Sequence, residues 1–161
     1  MIKKCYNKYG EGMKRILILF LLVLLCGCNK EEYFICKTSL TNEMDEYKFN
    51  AVYKIYYKDT FVTKIEKEEI YTSNNEDTLD YLNEYKKLDY SNLNKLYGGI
   101  TYNIEQKETS VNVNATLDMS IVEVNKMVKD KYIDSDYAIT GKISTSGIKY
   151  IYEEKGAKCD I

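Results

Sequence analysis

The side chains of this chain that can do chemistry are carboxylates, lysines, tyrosines and a few cysteines. It contains no histidine, proline or tryptophan, and its one arginine is Arg15. Without His there is no Ser-His or Cys-His couple and no imidazole metal ligand. Without an arginine in the body of the chain there is no bidentate fork for a phosphate or carboxylate. Glu66, Glu68 and Glu69 supply carboxylates for acid-base work, but acids at outer strand positions read as surface or edge protection, and spacing alone selects no dyad. Asp77, Asp80 and Glu84 fall on one side of a helical segment, which reads as a solvated acidic face rather than a cation site. Asp134-Ser135-Asp136 opens like a calcium loop, yet Ile139 stands where such a loop needs Gly and Thr145 where it needs a bidentate Glu. Ser146 and Lys149 have Ser-x-x-Lys spacing without a glycine-rich setting, and read as a helix start. Tyr47, Tyr53, Tyr56 and Tyr57 share one strand-like run, and exposed rings there would stack on a sugar or pack against a partner. The competing reading is that Tyr stands in for Phe and Trp in a core poor in both.

Lys14 and Arg15 precede ten uninterrupted apolar residues, Ile16 to Leu25, and then Cys26, Gly27 and Cys28. Charged start, apolar run and small-residue cut site make an export signal. Ten helical residues reach about 15 Å, half of a hydrocarbon core roughly 30 Å thick, so a permanent span is not expected. Leu25-Cys26-Gly27-Cys28 resembles the lipobox of bacterial lipoproteins, whose last cysteine is acylated and becomes the mature N-terminus. The resemblance makes Cys28 the lipidated residue, facing outside the cytoplasm, with Cys26 merely tolerated in the signal. Two or three acyl chains form a lasting anchor where one does not. Met13 begins a signal of ordinary proportions by itself, so the expected start is Met13, with Met1 as the alternative.

Setting aside residues 1–27 removes five basic residues (Lys3, Lys4, Lys8, Lys14, Arg15) of 23 and one acid (Glu11) of 25. That leaves 18 lysines against 24 acids, a formal charge of −6. Such a chain lacks the positive footprint that nucleic acid or anionic lipid requires. Its length suits one domain, whereas a two-lobed solute receptor needs considerably more. With Cys28 assigned to lipid, Cys36 and Cys159 remain. An even pair outside the cytoplasm reads as a disulfide, the alternative being two free thiols.

The elements that must position these groups follow from periodicity. Tyr33 to Leu40 reads as a first strand. Tyr47, Phe49, Ala51, Tyr53, Ile55 and Tyr57 alternate with polar residues as a second, and Phe61 to Tyr71 returns as a third with less clean alternation. Ser73, Asn74 and Asn75 precede Glu76 and Asp77, a helix start. Leu79, Leu82, Tyr85, Leu88, Leu93 and Leu96 form the expected apolar stripe of a helix stopped by Gly98 and Gly99. Ile100 to Ile104 and Val111 to Leu117 form a hairpin. Ser120 and Glu123 read as a capping box for a short helix with Ile121, Val124 and Val128 on one face. A last helix spans about Ser146 to Lys155, after which Ala157 to Cys159 would pair as an edge strand beside the first, bringing Cys159 to Cys36.

The lipobox, three strands, a capped helix ending in Tyr97-Gly98-Gly99-Ile100-Thr101-Tyr102, a hairpin and a terminal Cys together resemble the YehR-like bacterial lipoproteins, a family of unknown function. The stretch YKIYYKDTFVTKIE, Tyr53 to Glu66, matches that family's second and third strands. The resemblance implies an α+β fold and carries over no site residue beyond Cys28 and the Cys36 and Cys159 pair. The expected organisation is a signal over 1–27, a lipidated Cys and tether over 28–32, and one α+β domain over 33–161. Its antiparallel sheet has about five to six strands, packed on one face by a long helix and one or two short helices. The expected role is non-enzymatic: a binding or accessory module, without cofactor or nucleic acid, that meets the membrane through its lipid and an envelope protein or small ligand through its tyrosines. A small envelope hydrolase and a lipid or small-ligand carrier are the competing readings.

Overall fold

Alternation of side chains on extended backbone puts Ala51, Tyr53 and Ile55 on one side of their strand, and that single constraint organises the fold. The computed structural model describes residues 31–44 and 46–160; Cys28 and the expected signal over 1–27 lie outside the described residues. Strands β1 (Glu32–Asn42), β2 (Tyr47–Lys58) and β3 (Phe61–Thr72) are followed by helix α1 (Glu76–Tyr97), and then by strands β4 (Ile100–Lys107) and β5 (Ser110–Asp118). Next come helix α2 (Val124–Lys129), a 3-10 turn (Ser135–Tyr137) and a two-residue ribbon of β6 (Ala138–Ile139) and β7 (Lys142–Ile143). Helix α3 (Thr145–Glu154) and strand β8 (Lys158–Asp160) close the chain. One six-stranded sheet runs β4-β5-β3-β2-β1-β8, antiparallel throughout, so the fold is α+β. Among the described residues no helix is long and apolar enough to cross a membrane.

The helices pack on one face of this sheet, the inner face, which carries Phe34, Cys36, Ala51, Tyr53, Ile55, Ile65, Val111, Val113 and Leu117. β3 alternates less cleanly because its register against β2 shifts between Tyr56 and Tyr57: Tyr56 faces Lys64 while Tyr57 faces Val62. Thr63 is the extra residue, so Val62 and Ile65 both reach the core across a spacing of three, as a bulge allows. Asp59, in the left-handed region at φ 57°, closes the preceding turn.

Asn75 caps α1, its side chain accepting from the Thr78 backbone N–H at 3.3 Å. The buried stripe differs from the expected one. Leu79, Leu82, Tyr90 and Tyr97 are buried with Leu93 packed against them, whereas Tyr85, Leu88 and Leu96 are exposed, Leu88 to 62%. At about 100° per residue each step of three falls about 60° short of a turn, so the third step from Leu79 carries Leu88 to the opposite side. Spacings that mix three and four, through Lys86, Tyr90, Leu93 and Tyr97, stay on the sheet. The helix stops at Gly98, whose N–H donates to the Asn94 carbonyl at 2.9 Å. Gly99 follows at φ +68°, where a Cβ would stand 2.8 Å from the Asp118 carbonyl oxygen.

The capping box expected at Ser120 does not form. Ser120 donates instead to the Asp118 carboxylate through both N–H and hydroxyl, and α2 begins behind Glu123 with no side-chain cap. Val124 and Met127 are its buried positions and Val122 is buried just ahead of it, while Ile121 is exposed. α3 is capped by Ser144, not Ser146, its hydroxyl accepting from the Gly147 N–H at 3.0 Å. β8 pairs antiparallel with β1, setting Cys159 directly opposite Cys36, and the two are joined as a disulfide.

Candidate functional site

Because β2 alternates, its four tyrosines do not share a side. Tyr56 points to the outer face, beside Tyr33 with ring centroids 5.8 Å apart; the Lys64 ammonium lies over its ring and the Glu66 carboxylate accepts its hydroxyl at 2.8 Å. Tyr47, Tyr53 and Tyr57 point to the inner face. Tyr57 donates to Glu32 at 2.7 Å, and Tyr53 is buried, stacked on Tyr152 of α3 at 4.3 Å. Two of the four, Tyr47 and Tyr53, meet other aromatic side chains in an open groove of about 850 Å³ between the first half of α1 and the inner face of β2 and β3. Tyr71 links Phe49 (4.8 Å) and Tyr47 (5.9 Å) along the sheet side, and Tyr81 and Tyr85, 5.9 Å apart and exposed, rise from the helix side. Glu46 and Asp77 stand in the lining, and the Lys86 ammonium sits over the Tyr71 ring at 4.8 Å.

At the base of this groove is Glu69, a buried acid with only 7% of its surface exposed. Tyr71 and Tyr90 donate their hydroxyls to its two carboxylate oxygens at 3.0 and 3.1 Å, and Lys86 approaches to 3.7 Å. Burial first, and then the Glu69 charge, push both tyrosine hydroxyls well above the ordinary tyrosine range, so each stays a donor. Glu69 therefore does not belong with Glu66 and Glu68, which occupy the outer face; parity carries the signal, because residues 65, 67, 69 and 71 share one side and Ile65 and Tyr71 are apolar core. The three glutamates do not form a dyad.

Asp134 caps the 3-10 turn, accepting from the Asp136 N–H at 3.0 Å. Asp80 accepts from the Gln106 side chain at 2.6 Å. Among the described residues no group of acids and cysteines is arranged to hold a metal ion.

No family profile and no curated protein matches this chain. Among solved structures, the NMR structure of the YehR protein of E. coli is similar, at 20% sequence identity and TM-score 0.53, covering 81% of this chain and 91% of that one. A protein of Streptococcus pneumoniae TIGR4, also solved by NMR, aligns at 15% identity and TM-score 0.48, over 82% and 86% of the two chains. The likeness to YehR is one of fold.

Proposed function

We propose that this chain is an extracytoplasmic lipoprotein of the YehR-like kind, anchored through Cys28, and that it works as a non-enzymatic accessory module whose aromatic groove receives a segment of an envelope protein. The leader and its Leu-Cys-Gly-Cys tetrad support the anchor. The Cys36–Cys159 disulfide suits an oxidising compartment, and the fold shared with YehR supports the grouping. One observation carries the binding role: Tyr47, Phe49 and Tyr71 of the sheet and Tyr81 and Tyr85 of α1 converge on one open groove. Tyrosine offers a large rigid ring with a polar tip, the side chain best suited to a wet partner surface. Glu46 and Asp77 in the lining, on a chain of net negative charge, match a partner segment that brings a basic residue to the rings.

Pull-down from solubilised membranes with the native protein tests this reading. The expected result is a stoichiometric protein partner that is lost when the exposed pair is removed in Tyr81→Ala/Tyr85→Ala. Capture of none, or capture indifferent to that pair, overturns the groove. Metabolic labelling with a fatty-acid analogue tests the anchor separately, since incorporation surviving Cys28→Ala moves the lipid elsewhere.

A further inference from the structure

Across Tyr90 from the groove lies a more enclosed cavity of about 360 Å³, between the inner sheet face and helices α1, α2 and α3. Ile65 and Leu117 of the sheet, Leu93 of α1, Met127 of α2 and Ile148 of α3 give it apolar walls. Its size falls in the range of roughly 300 to 1,000 Å³ in which proteins hold small ligands. Four charged residues, Lys67, Asp134, Glu154 and Lys155, also reach the lining, and Lys67 is the one that comes from the sheet. Lys67 stands on the inner face of β3, directly between Tyr53 and Ala115 of the neighbouring strands. Its ammonium lies 6.0 Å from the centre of the Tyr90 ring and makes no ion pair or hydrogen bond among the described residues. Glu69, two residues along on the same face, is already held by Tyr71, Tyr90 and Lys86.

We propose that this cavity is a binding site for a small amphiphile with one anionic head, a carboxylate of the fatty-acid class, its head at Lys67 and its chain along Ile65, Leu93, Met127 and Ile148. An ammonium partly withdrawn from water without a directly paired anion is costly to keep, and a carboxylate arriving there offsets that cost while its chain fills the apolar space. Burial pushes Lys67 below the ordinary lysine range, outweighing the pull of the Glu69 and Asp89 charges, neither of which pairs with it directly, and the like charges of Lys155 and Lys86 push the same way as burial. The two acids of the lining have donors of their own. Asp134 accepts from the Ser135 hydroxyl and the Asp136 N–H, and Glu154 accepts from the Tyr150 hydroxyl. Lys155, the remaining charged residue of the lining, is a second cation.

The site is separate from the aromatic groove, and its test does not depend on finding a protein partner. The full chain is reconstituted on vesicles of phosphatidylcholine and titrated with octanoate or with octanol. Intrinsic tyrosine fluorescence is the readout, since the chain has no tryptophan and Tyr90, Tyr132 and Tyr152 line the cavity. Octanoate is expected to give a saturable change, with octanol about tenfold or more weaker on the wild type. Lys67→Met should bring octanoate down to the level of octanol and leave octanol unmoved. The wild-type comparison needs no variant and so stands if Lys67→Met folds poorly. Equal binding of the two ligands to wild type, full octanoate affinity in a folded Lys67→Met, or no saturation by either ligand overturns the proposal.

Discussion

Replacing Tyr90 with Phe removes one hydroxyl and almost no volume, so its effect isolates the donor it takes from Glu69. The hydroxyl lies 3.1 Å from one carboxylate oxygen, and Tyr71 and Lys86 remain on the other at 3.0 and 3.7 Å. A hydrogen bond to a charged group nets about 1.5 to 3 kcal/mol, and with Glu69 buried little water replaces the lost donor. The expected destabilisation is therefore about 2 kcal/mol, read in urea unfolding followed by circular dichroism as a lower midpoint at unchanged slope. Repeated in a Glu69→Gln background the same change should cost about 1 kcal/mol less, because the neutral amide needs the donor less. That difference is the coupling a double-mutant cycle measures. A loss under about 0.5 kcal/mol for Tyr90→Phe, or an identical loss in both backgrounds, would show that the carboxylate is not held by this hydroxyl, and the account of the groove's base would fail with it.

Three further outcomes follow from the same structure. Removing the disulfide in Cys36→Ala/Cys159→Ala opens a link between residues 123 apart, worth about 5 kcal/mol in the chain-entropy account; a loss below about 1 kcal/mol in urea would reject that account here. Tyr53, Tyr71, Tyr90 and Tyr152 are all pushed upward, chiefly by burial, so above the ordinary tyrosine pKa of about 10 the unfolded chain gives up protons that the folded chain keeps. Stability is then whole below about pH 10 and declines as pH rises past it; absorbance at 295 nm should show a set of tyrosines ionising only as the chain unfolds, and a smooth titration of every tyrosine near pH 10 would contradict it. Gly99→Ala places a methyl within 2.9 Å of backbone atoms of Asp118 and Val122 at a positive φ, so a cost of about 3 kcal/mol is expected, visible as a lower melting temperature; a melting temperature within a degree of wild type rejects it.

The strands were legible because period two tolerates no drift. Once Tyr53 is known to point inward, Ala51 and Ile55 must follow, and the hairpin of β4 and β5 reads off the same rule. The terminal edge strand was legible for a different reason, since Ala157 to Cys159 had to pair somewhere and Cys36 marked the place. Helix α1 was harder. Its existence and ends follow from Asn75, Glu76, Asp77 and the two glycines, but its buried side does not follow from the leucines. Tyr90 and Tyr97 are core while Leu88 is not, and only the angle between positions separates them. At Ser120 a capping signature lost to a stronger local competitor, the Asp118 carboxylate, which took both of the serine's donors.

The candidate sites escaped for a reason tied to what sites are. Lys67 and Glu69 sit where the pattern of β3 asks for apolar residues, and a reading by residue type assigns charged side chains to the outer face. Parity assigns them to the inner one, and the structure sides with parity. Their costs differ. Glu69 is answered within the chain by two tyrosines and a lysine, which makes it a structural knot as well as the base of a groove. Lys67 has no direct ion pair or hydrogen bond among the described residues and meets only a distant aromatic ring and the more remote charges of Glu69 and Asp89. A fold selected for stability alone would do better with a methionine at 67, which fills similar volume without a charge to desolvate. Retaining the ammonium makes physical sense if something outside the chain supplies its anion. Replacing it should therefore have opposite effects on two measurements: Lys67→Met is expected to raise the urea midpoint of the empty protein while weakening the octanoate titration. A variant that loses stability along with binding would mean that Lys67 also supports the core, and the comparison of octanoate with octanol on the wild type then decides the site.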